Sequence, residues 1–149
     1  MINYIITDDI NQIIETRLNS IAAMKHSYKD KNDELEFIIK SIEFFNTANQ
    51  TTIIAVDNQI IGSATLCYYS IAPSFNNKTG KCAMLMNVYT DEHYRHKGIA
   101  KKMIELLIKE AKDKGVSEVS LDSSEIGKPF YEQIGFHNSK KRMIMDIIS

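Results

Sequence analysis

The chain has 149 residues, 44% hydrophobic and 25% charged, with a formal net charge of −1 and two prolines. A domain of this length buries roughly 68–70% of its unfolded surface, so residues 1–149 are expected to form a single domain that folds alone. Near-neutral charge excludes a general nucleic-acid binder, which needs surplus Lys and Arg to displace phosphate counterions; any anion site must be local.

The opening "MINYIITDDI" has no basic segment leading into a long apolar core and a small-residue cleavage site. No run approaches the roughly 18 apolar residues of a membrane span. A cytoplasmic location without membrane contact is therefore expected. Cys67 and Cys82 stand in apolar, strand-like contexts with no CxxC pair and no His at metal spacing. Two buried, reduced thiols and no metal are the expectation.

In chain order, "NYIIT" (3–7) reads as a strand, and Asp8 and Asp9 are placed to cap a helix over about 10–24. "KHSYKDKN" reads as a polar loop. In "DELEFIIKSIEFF" (33–45), Leu35, Ile38, Ile39, Ile42 and Phe45 recur at helical spacing and predict a core-facing stripe. "TTIIAV" and "IIGSATLCYYSI" are β-rich runs joined at Asp57 and Asn58, a hairpin signal. "APSFNNKTGK" reads as a surface connection, and "CAMLMNVYT" (82–90) as a strand covered on both faces. The clearest helix spans Ile99 to Lys114: Ile99, Met103, Leu107 and Ala111 fall on one face, Ile104 and Ile108 widen it, and Gly115 suits a left-handed cap. A strand in "VSEVSLDSS", a short helix around 125–134 and a strand pair within 136–148 complete an α/β domain with a mixed sheet.

Chemistry concentrates in "NVYTDEHYRHKGIAKKM" (87–103), where a strand ending meets a basic turn and then a helix. A helix start exposes unpaired N–H groups and the positive end of its dipole, so an open loop there is a phosphate site. Gly98 can take φ values closed to other residues; Arg95, Lys97 and Lys101 add charge, and Ala100 keeps the first turn small. No GxxxxGK[ST] or GxGxxG pattern is present.

"YRHKGIA" resembles the Arg/Gln-x-x-Gly-x-Gly/Ala motif of the GNAT superfamily of acyl-CoA-dependent N-acyltransferases, and "PFYEQIGF" is similar to that family's Tyr-x-x-x-Gly-Phe element. The likeness is specific over about 82–137 and architectural before that. It implies a mixed, mostly antiparallel central sheet with helices on both faces, and acetyl-CoA as cosubstrate. Val88, Tyr89 and Thr90 would meet the pantetheine arm. His96, Lys97, Gly98, Ile99 and Ala100 would hold the pyrophosphate, with Arg95 and Lys101 nearby. Ser124 stands where many members carry an asparagine that contacts pantetheine, and Tyr131 where a phenol donates to the leaving thiolate. Asn87 cannot titrate but can orient a water or the thioester carbonyl. Asp122 and Glu125 are the acids nearest the tyrosine element; no general base is assigned, and Glu125 also fits a first helical turn. Tyr28, Tyr68 and Tyr69 are candidates for an acceptor pocket, whereas His93 and His96, with no third ligand, read as surface residues.

The resemblance thus implies transfer of an acetyl group to a primary amine of a small molecule or peptide, and a homodimer is frequent in the family. A non-catalytic acyl-CoA sensor and a nucleotide-binding protein are the alternatives. The acceptor carries no interpretable signature.

Overall fold

The computed structural model describes residues 1–24 and 28–148. Its elements are β1 (Asn3–Thr7), α1 (Ile10–Ala23), α2 (Lys31–Thr47), β2 (Gln50–Asp57), β3 (Gln59–Ser70), β4 (Lys81–Thr90), α3 (Ile99–Asp113), β5 (Glu118–Ser120) and α4 (Lys128–Ile134), with a 3-10 turn at Glu92–Tyr94. Asp9 caps α1, its Oδ1 accepting from the amides of Asn11 at 2.9 Å and Gln12 at 3.3 Å. Asp30 does the same for α2, accepting from the Asp33 amide at 2.9 Å. By contrast α3 begins at Gly98 with no side-chain cap. It ends in a backbone turn, followed by Gly115 at φ 78°.

Sheet order follows chain order, β1-β2-β3-β4-β5. The first four strands are antiparallel and β5 joins β4 in parallel. Alternate residues of a strand face opposite sides. Ile53 and Ala55 of β2, Leu66 of β3 and Leu85 of β4 pack with Ile99, Met103, Ile104, Leu107 and Ala111 of α3 into one apolar core. The other face carries α1, with Ile13, Thr16 and Ser20 buried, and α2 rests mainly on α1. Helices thus cover both faces of a mostly antiparallel sheet, as the family resemblance implies, and the long amphipathic stripe of α3 is core along its length.

Three expectations are corrected. No strand pair forms within the described part of 136–148: Phe136 still packs against the core, but Met143, Ile144, Met145, Ile147 and Ile148 are exposed. The reason lies in β5, whose three paired residues offer too short an edge for a hairpin to extend. The stripe on α2 is not core, because that helix packs on α1 and not on the sheet. Phe45 is buried, but Leu35 and Ile39 are 55% and 54% exposed. Cys82 is buried, whereas Cys67 is only half-buried, and both are free thiols. Residues 25–27 of the "KHSYKDKN" loop lie outside the described residues, and Lys31 and Asn32 already belong to α2.

The two apolar populations should respond differently to truncation. Leu107→Ala is expected to cost about 2–5 kcal/mol through the cavity it leaves, whereas Phe75→Ser, at a side chain 99% exposed, should fall within about 0.5 kcal/mol of the parent. Urea unfolding midpoints at constant slope would measure both.

Candidate active site

The site is built where β4 loses its partner. The β4–β5 ladder comprises Cys82↔Glu118, Ala83↔Val119 and Met84↔Ser120 and then stops. From Leu85 to Thr90 the β5-facing edge of β4 therefore has no strand against it, while its other edge remains paired with β3 through one shift of register. Val88, Tyr89 and Thr90 lie on this open stretch, each half-buried. Burial raises the Tyr89 phenol above its ordinary pKa, with a smaller push from Asp91.

At the end of β4 the chain turns through Asp91 and the 3-10 segment into the basic loop. Arg95 folds back, its Nε donating to the Thr90 carbonyl at 3.2 Å. Lys97 lies over the Tyr94 ring at 5.4 Å, and the Tyr94 hydroxyl donates to Asp57 at 2.7 Å, tying the loop to the β2–β3 hairpin. His96 and Gly98 both have positive φ, 64° and 79°. A Cβ on Gly98 would meet no atom within 4 Å. The glycine is thus required by its backbone angle, and the space above it is open. Beyond it, the amides of Ile99, Ala100 and Lys101 lie in the first turn, where no intrahelical acceptor exists. Neither they nor Gly98 donate a hydrogen bond among the described residues. Lys101 is exposed and only loosely paired with Glu105, at 3.9 Å. The loop offers a row of unused donors beside a cluster of cations, which is what a phosphate requires.

Tyr131 sits on α4 with its ring edge-on to Phe130 and Phe136, centroids 5.1 and 5.9 Å away. The helix ends on this residue: its carbonyl accepts from the amides of Gly135 at 3.2 Å and Phe136 at 3.1 Å. Burial raises the phenol's pKa, and the hydroxyl makes no hydrogen bond among the described residues. Ser124 shapes the approach to α4, its Oγ accepting from the Gly127 amide at 3.1 Å, which leaves its own proton unused. Glu125 pairs with Lys128 at 2.7 Å and Asp122 with Arg142 at 3.6 Å, both exposed. These two acids are occupied on the surface.

Asn87 is 5% exposed and stands in a β-bulge at φ 56°. Ser63↔Tyr89 and Thr65↔Met86 are paired, so Asn87 and Val88 together oppose Ala64 alone. The bulge turns the Asn87 amide toward α1, where its Nδ2 donates to Thr16 Oγ1 at 2.9 Å. Thr16 and Thr65, the two hydroxyls that face the Asn87 amide, are not legible in the sequence: a threonine in a helix or a strand reads as ordinary until the tertiary contact is known. Of the tyrosines, Tyr68 packs against the core on the α3 side and donates to Thr51 at 2.9 Å, away from Asn87. Tyr28 meets Phe37 at a tilt, with ring centroids 5.8 Å apart, and Tyr69 is partly exposed. His93 and His96 are exposed, and among the described residues no group of three His, Cys, Asp or Glu is gathered to hold a metal.

A mixed sheet opened between β4 and β5, with an uncapped helix start at the mouth of the opening, offers main-chain groups to an extended ligand with an anionic end. The sequence model of the acetyltransferase (GNAT) family matches residues 14–136. The chain belongs to that family. It is 36% identical over 89 residues to glucosamine 6-phosphate N-acetyltransferase of Trypanosoma brucei brucei, covering 60% of this chain and 58% of that protein. It is 34% identical over 73 residues to the enzyme of the same name from Arabidopsis thaliana, 49% of each chain. The match thus spans about half the length of these relatives. Among solved structures, a Clostridium acetobutylicum protein described as a predicted acetyltransferase, solved with acetyl-CoA, superposes with TM-score 0.84 at 26% identity, over 99% of this chain and 97% of that one. The Arabidopsis thaliana glucosamine-6-phosphate N-acetyltransferase structure gives 0.71 at 20% identity over 99% of each, a likeness of fold.

The raised Tyr131 value has a readable sign. Ionisation opposes the fold, so its contribution is constant below about pH 10 and stability is lost as pH climbs through the raised folded pKa. In a spectrophotometric titration Tyr131→Phe should remove a phenol step lying above the ordinary value of about 10. It should also blunt the fall in urea midpoint as pH rises above about 10.

Proposed function

We propose that the protein is an acetyl-CoA-dependent N-acetyltransferase that acts on a small amine by direct transfer. The observation that carries this reading is the row of unused amides at the start of α3, open above Gly98 and adjoining the unpartnered edge of β4. Those residues fit the cosubstrate: amides from Gly98 to Lys101 would take its pyrophosphate, Arg95 and Lys97 would add charge, and Val88, Tyr89 and Thr90 would offer main-chain groups to its arm. His96 supplies the positive φ that shapes the loop, and Ser124 a spare hydroxyl. Bound there, acetyl-CoA supplies an activated acyl thioester. Tyr131 holds a proton for the departing sulfur in a setting where burial keeps the phenol neutral. Most of the rate would come from holding two reactants together, an effect worth roughly 7–11 kcal/mol.

Arg17 supports a small acceptor that also carries an anionic group. Its guanidinium lies over the Phe37 ring at 5.6 Å, half-buried, and makes no ion pair among the described residues. Burial lowers its pKa, but an arginine keeps its charge. It shares the α1 side of the sheet with Cys67, whose Sγ lies 3.2 Å from Met86 Sδ, one residue from Asn87. The two curated relatives are named for an amino sugar phosphate, which has this combination of amine and anion.

A homodimer belongs to the same reading. Arg142 anchors the chain beside Asp122 near β5, after which an apolar segment is left uncovered, and a second copy is the occupant we favour for it. Sedimentation should then show a dimer that Met145→Glu converts to monomer. A dilution-independent monomer would remove this part alone.

Calorimetry with acetyl-CoA should show saturable binding that Gly98→Asp abolishes, since the variant adds both strain at positive φ and a negative charge. Thiol release with glucosamine 6-phosphate should be slowed roughly 10²–10⁴-fold by Tyr131→Phe with binding retained. Arg17→Ala should raise KM for the phosphorylated amine but not for glucosamine. Binding without acceptor-dependent thiol release across an amine panel would favour a non-catalytic acyl-CoA module, the alternative that the surface-paired Asp122 and Glu125 leave standing.

A further inference from the structure

Asn87 is buried, and its Oδ1 has no hydrogen-bond partner, an arrangement rare enough in a folded protein to need a cause. The cause lies in a chain of donors whose directions are all fixed. Thr16 Oγ1 donates its one proton to the Ile13 carbonyl at 2.7 Å. It can therefore only accept from Asn87, and the group facing it at 2.9 Å must be the amide nitrogen. Flipping the amide would set two acceptors against each other. On the second branch Thr52 donates to Gln50 Oε1 at 2.7 Å, so at the 2.8 Å contact between Thr52 and Thr65 the donor is Thr65. Thr65 is then left with lone pairs for the other Asn87 N–H, at 3.5 Å. Below the side chain, Ser63 donates to the Asn87 carbonyl at 2.9 Å and holds the bulge.

The Asn87 Nδ2 is thus held by Thr16 and, more loosely, by Thr65, and its buried oxygen is left without a partner among the described residues, three residues beyond the last β4–β5 pair, on the stretch of β4 that lies open. A side chain so locked cannot donate to a thioester carbonyl, which removes one of the two roles open to it on sequence grounds. We infer that Asn87 Oδ1 receives an N–H of the attacking amine, directly or through one water, and that Thr16 and Thr65 are positioning residues that fix the amide in the accepting orientation. This rests on the acetyltransferase reading and adds its acceptor side. As the amine nitrogen bonds to the acyl carbon it becomes positive and its N–H groups become stronger donors. A fixed acceptor therefore stabilises the transition state more than the free amine. The proton finally leaves the product nitrogen to solvent, since a carboxamide cannot take it.

The test uses the full chain with acetyl-CoA and glucosamine 6-phosphate, following free thiol. Thr16→Val keeps the shape and removes the acceptor for Nδ2. Its kcat should fall roughly five- to ten-fold, the scale of one neutral hydrogen bond, with the dissociation constant for acetyl-CoA unchanged. Thr16→Ser, which retains the hydroxyl, should restore the rate to within about two-fold. Independently of turnover, the Asn87 side-chain amide resonance, assigned by its disappearance in Asn87→Asp, should show slowed proton exchange in the ligand-free parent and faster exchange in Thr16→Val. If the parent turns over and Thr16→Val matches it in kcat with the amide resonance unaltered, the inference is overturned while the enzyme reading stands. If the parent releases no thiol with any amine, the enzyme reading fails first and takes this one with it.

Discussion

The early end of the β4–β5 ladder is the constraint on which the rest depends. Parallel strands are normally paired until one of them turns away, and here β5 leaves after three residues, while β4 runs on for six more. A strand edge inside a fold is a row of polar groups that must find partners. Placing the start of α3 directly after β4 puts a second set of unsatisfied donors at the same corner. Two deficits of hydrogen bonding, one along an edge and one at a helix start, are brought together by a loop of eight residues between Thr90 and Ile99. Neither would be stable deep in an apolar core; at a surface opening they cost little in water and favour a ligand with phosphates at one end and amides along its length.

The two faces of the sheet divide the remaining work. Toward α3 the packing is apolar and continuous, Ile53, Ala55, Leu66 and Leu85 against Met103, Ile104 and Leu107. It holds the helix whose first turn forms the loop. Toward α1 the buried side chains include Ile13 and Ile54, but most are polar: Thr16, Ser20, Thr52, Ser63, Thr65 and Asn87. Such a face gains less from burial, and it stays folded because the hydroxyls of Thr16, Thr52, Ser63 and Thr65 are each spent in one direction. The sole exceptions among fully buried side-chain atoms of the described residues are Asn87 Oδ1 and Thr90 Oγ1, both on the open stretch of β4. A satisfied network with its loose ends at one place marks that place as one prepared for something else.

How much of this the sequence discloses follows from the range of the interaction. The turn at His96 to Gly98, the stripe of α3 and the cap at Asp9 are local, set by residues within a few positions of one another, and all are legible in "YRHKGIA" or in helical spacing. The α2 stripe misleads because periodicity says that a helix has an apolar side without saying what it meets; α1 proves too narrow to cover Leu35 and Ile39. The missing strand pair within 136–148 fails for a related reason, since a mostly apolar run such as "RMIMDII" suggests a strand but not the edge that would receive it. Thr16 and Asn87 are 71 residues apart, and no local rule joins them.

That difference in legibility tracks a difference in chemistry. The half of the site that would hold a nucleotide-bearing cosubstrate is made of main chain, and main chain is specified by the few residues that permit unusual φ, so a glycine and a short basic run suffice to encode it. The half that would hold the amine is made of side chains drawn from α1, β3 and β4, each commonplace alone and acquiring direction only from its neighbours. One consequence is that the first half can remain while the second is rebuilt: altering Thr16, Thr65 or Arg17 leaves the α3 donors untouched, because the sheet stands between them. A scaffold arranged this way can change its acceptor without disturbing its cosubstrate.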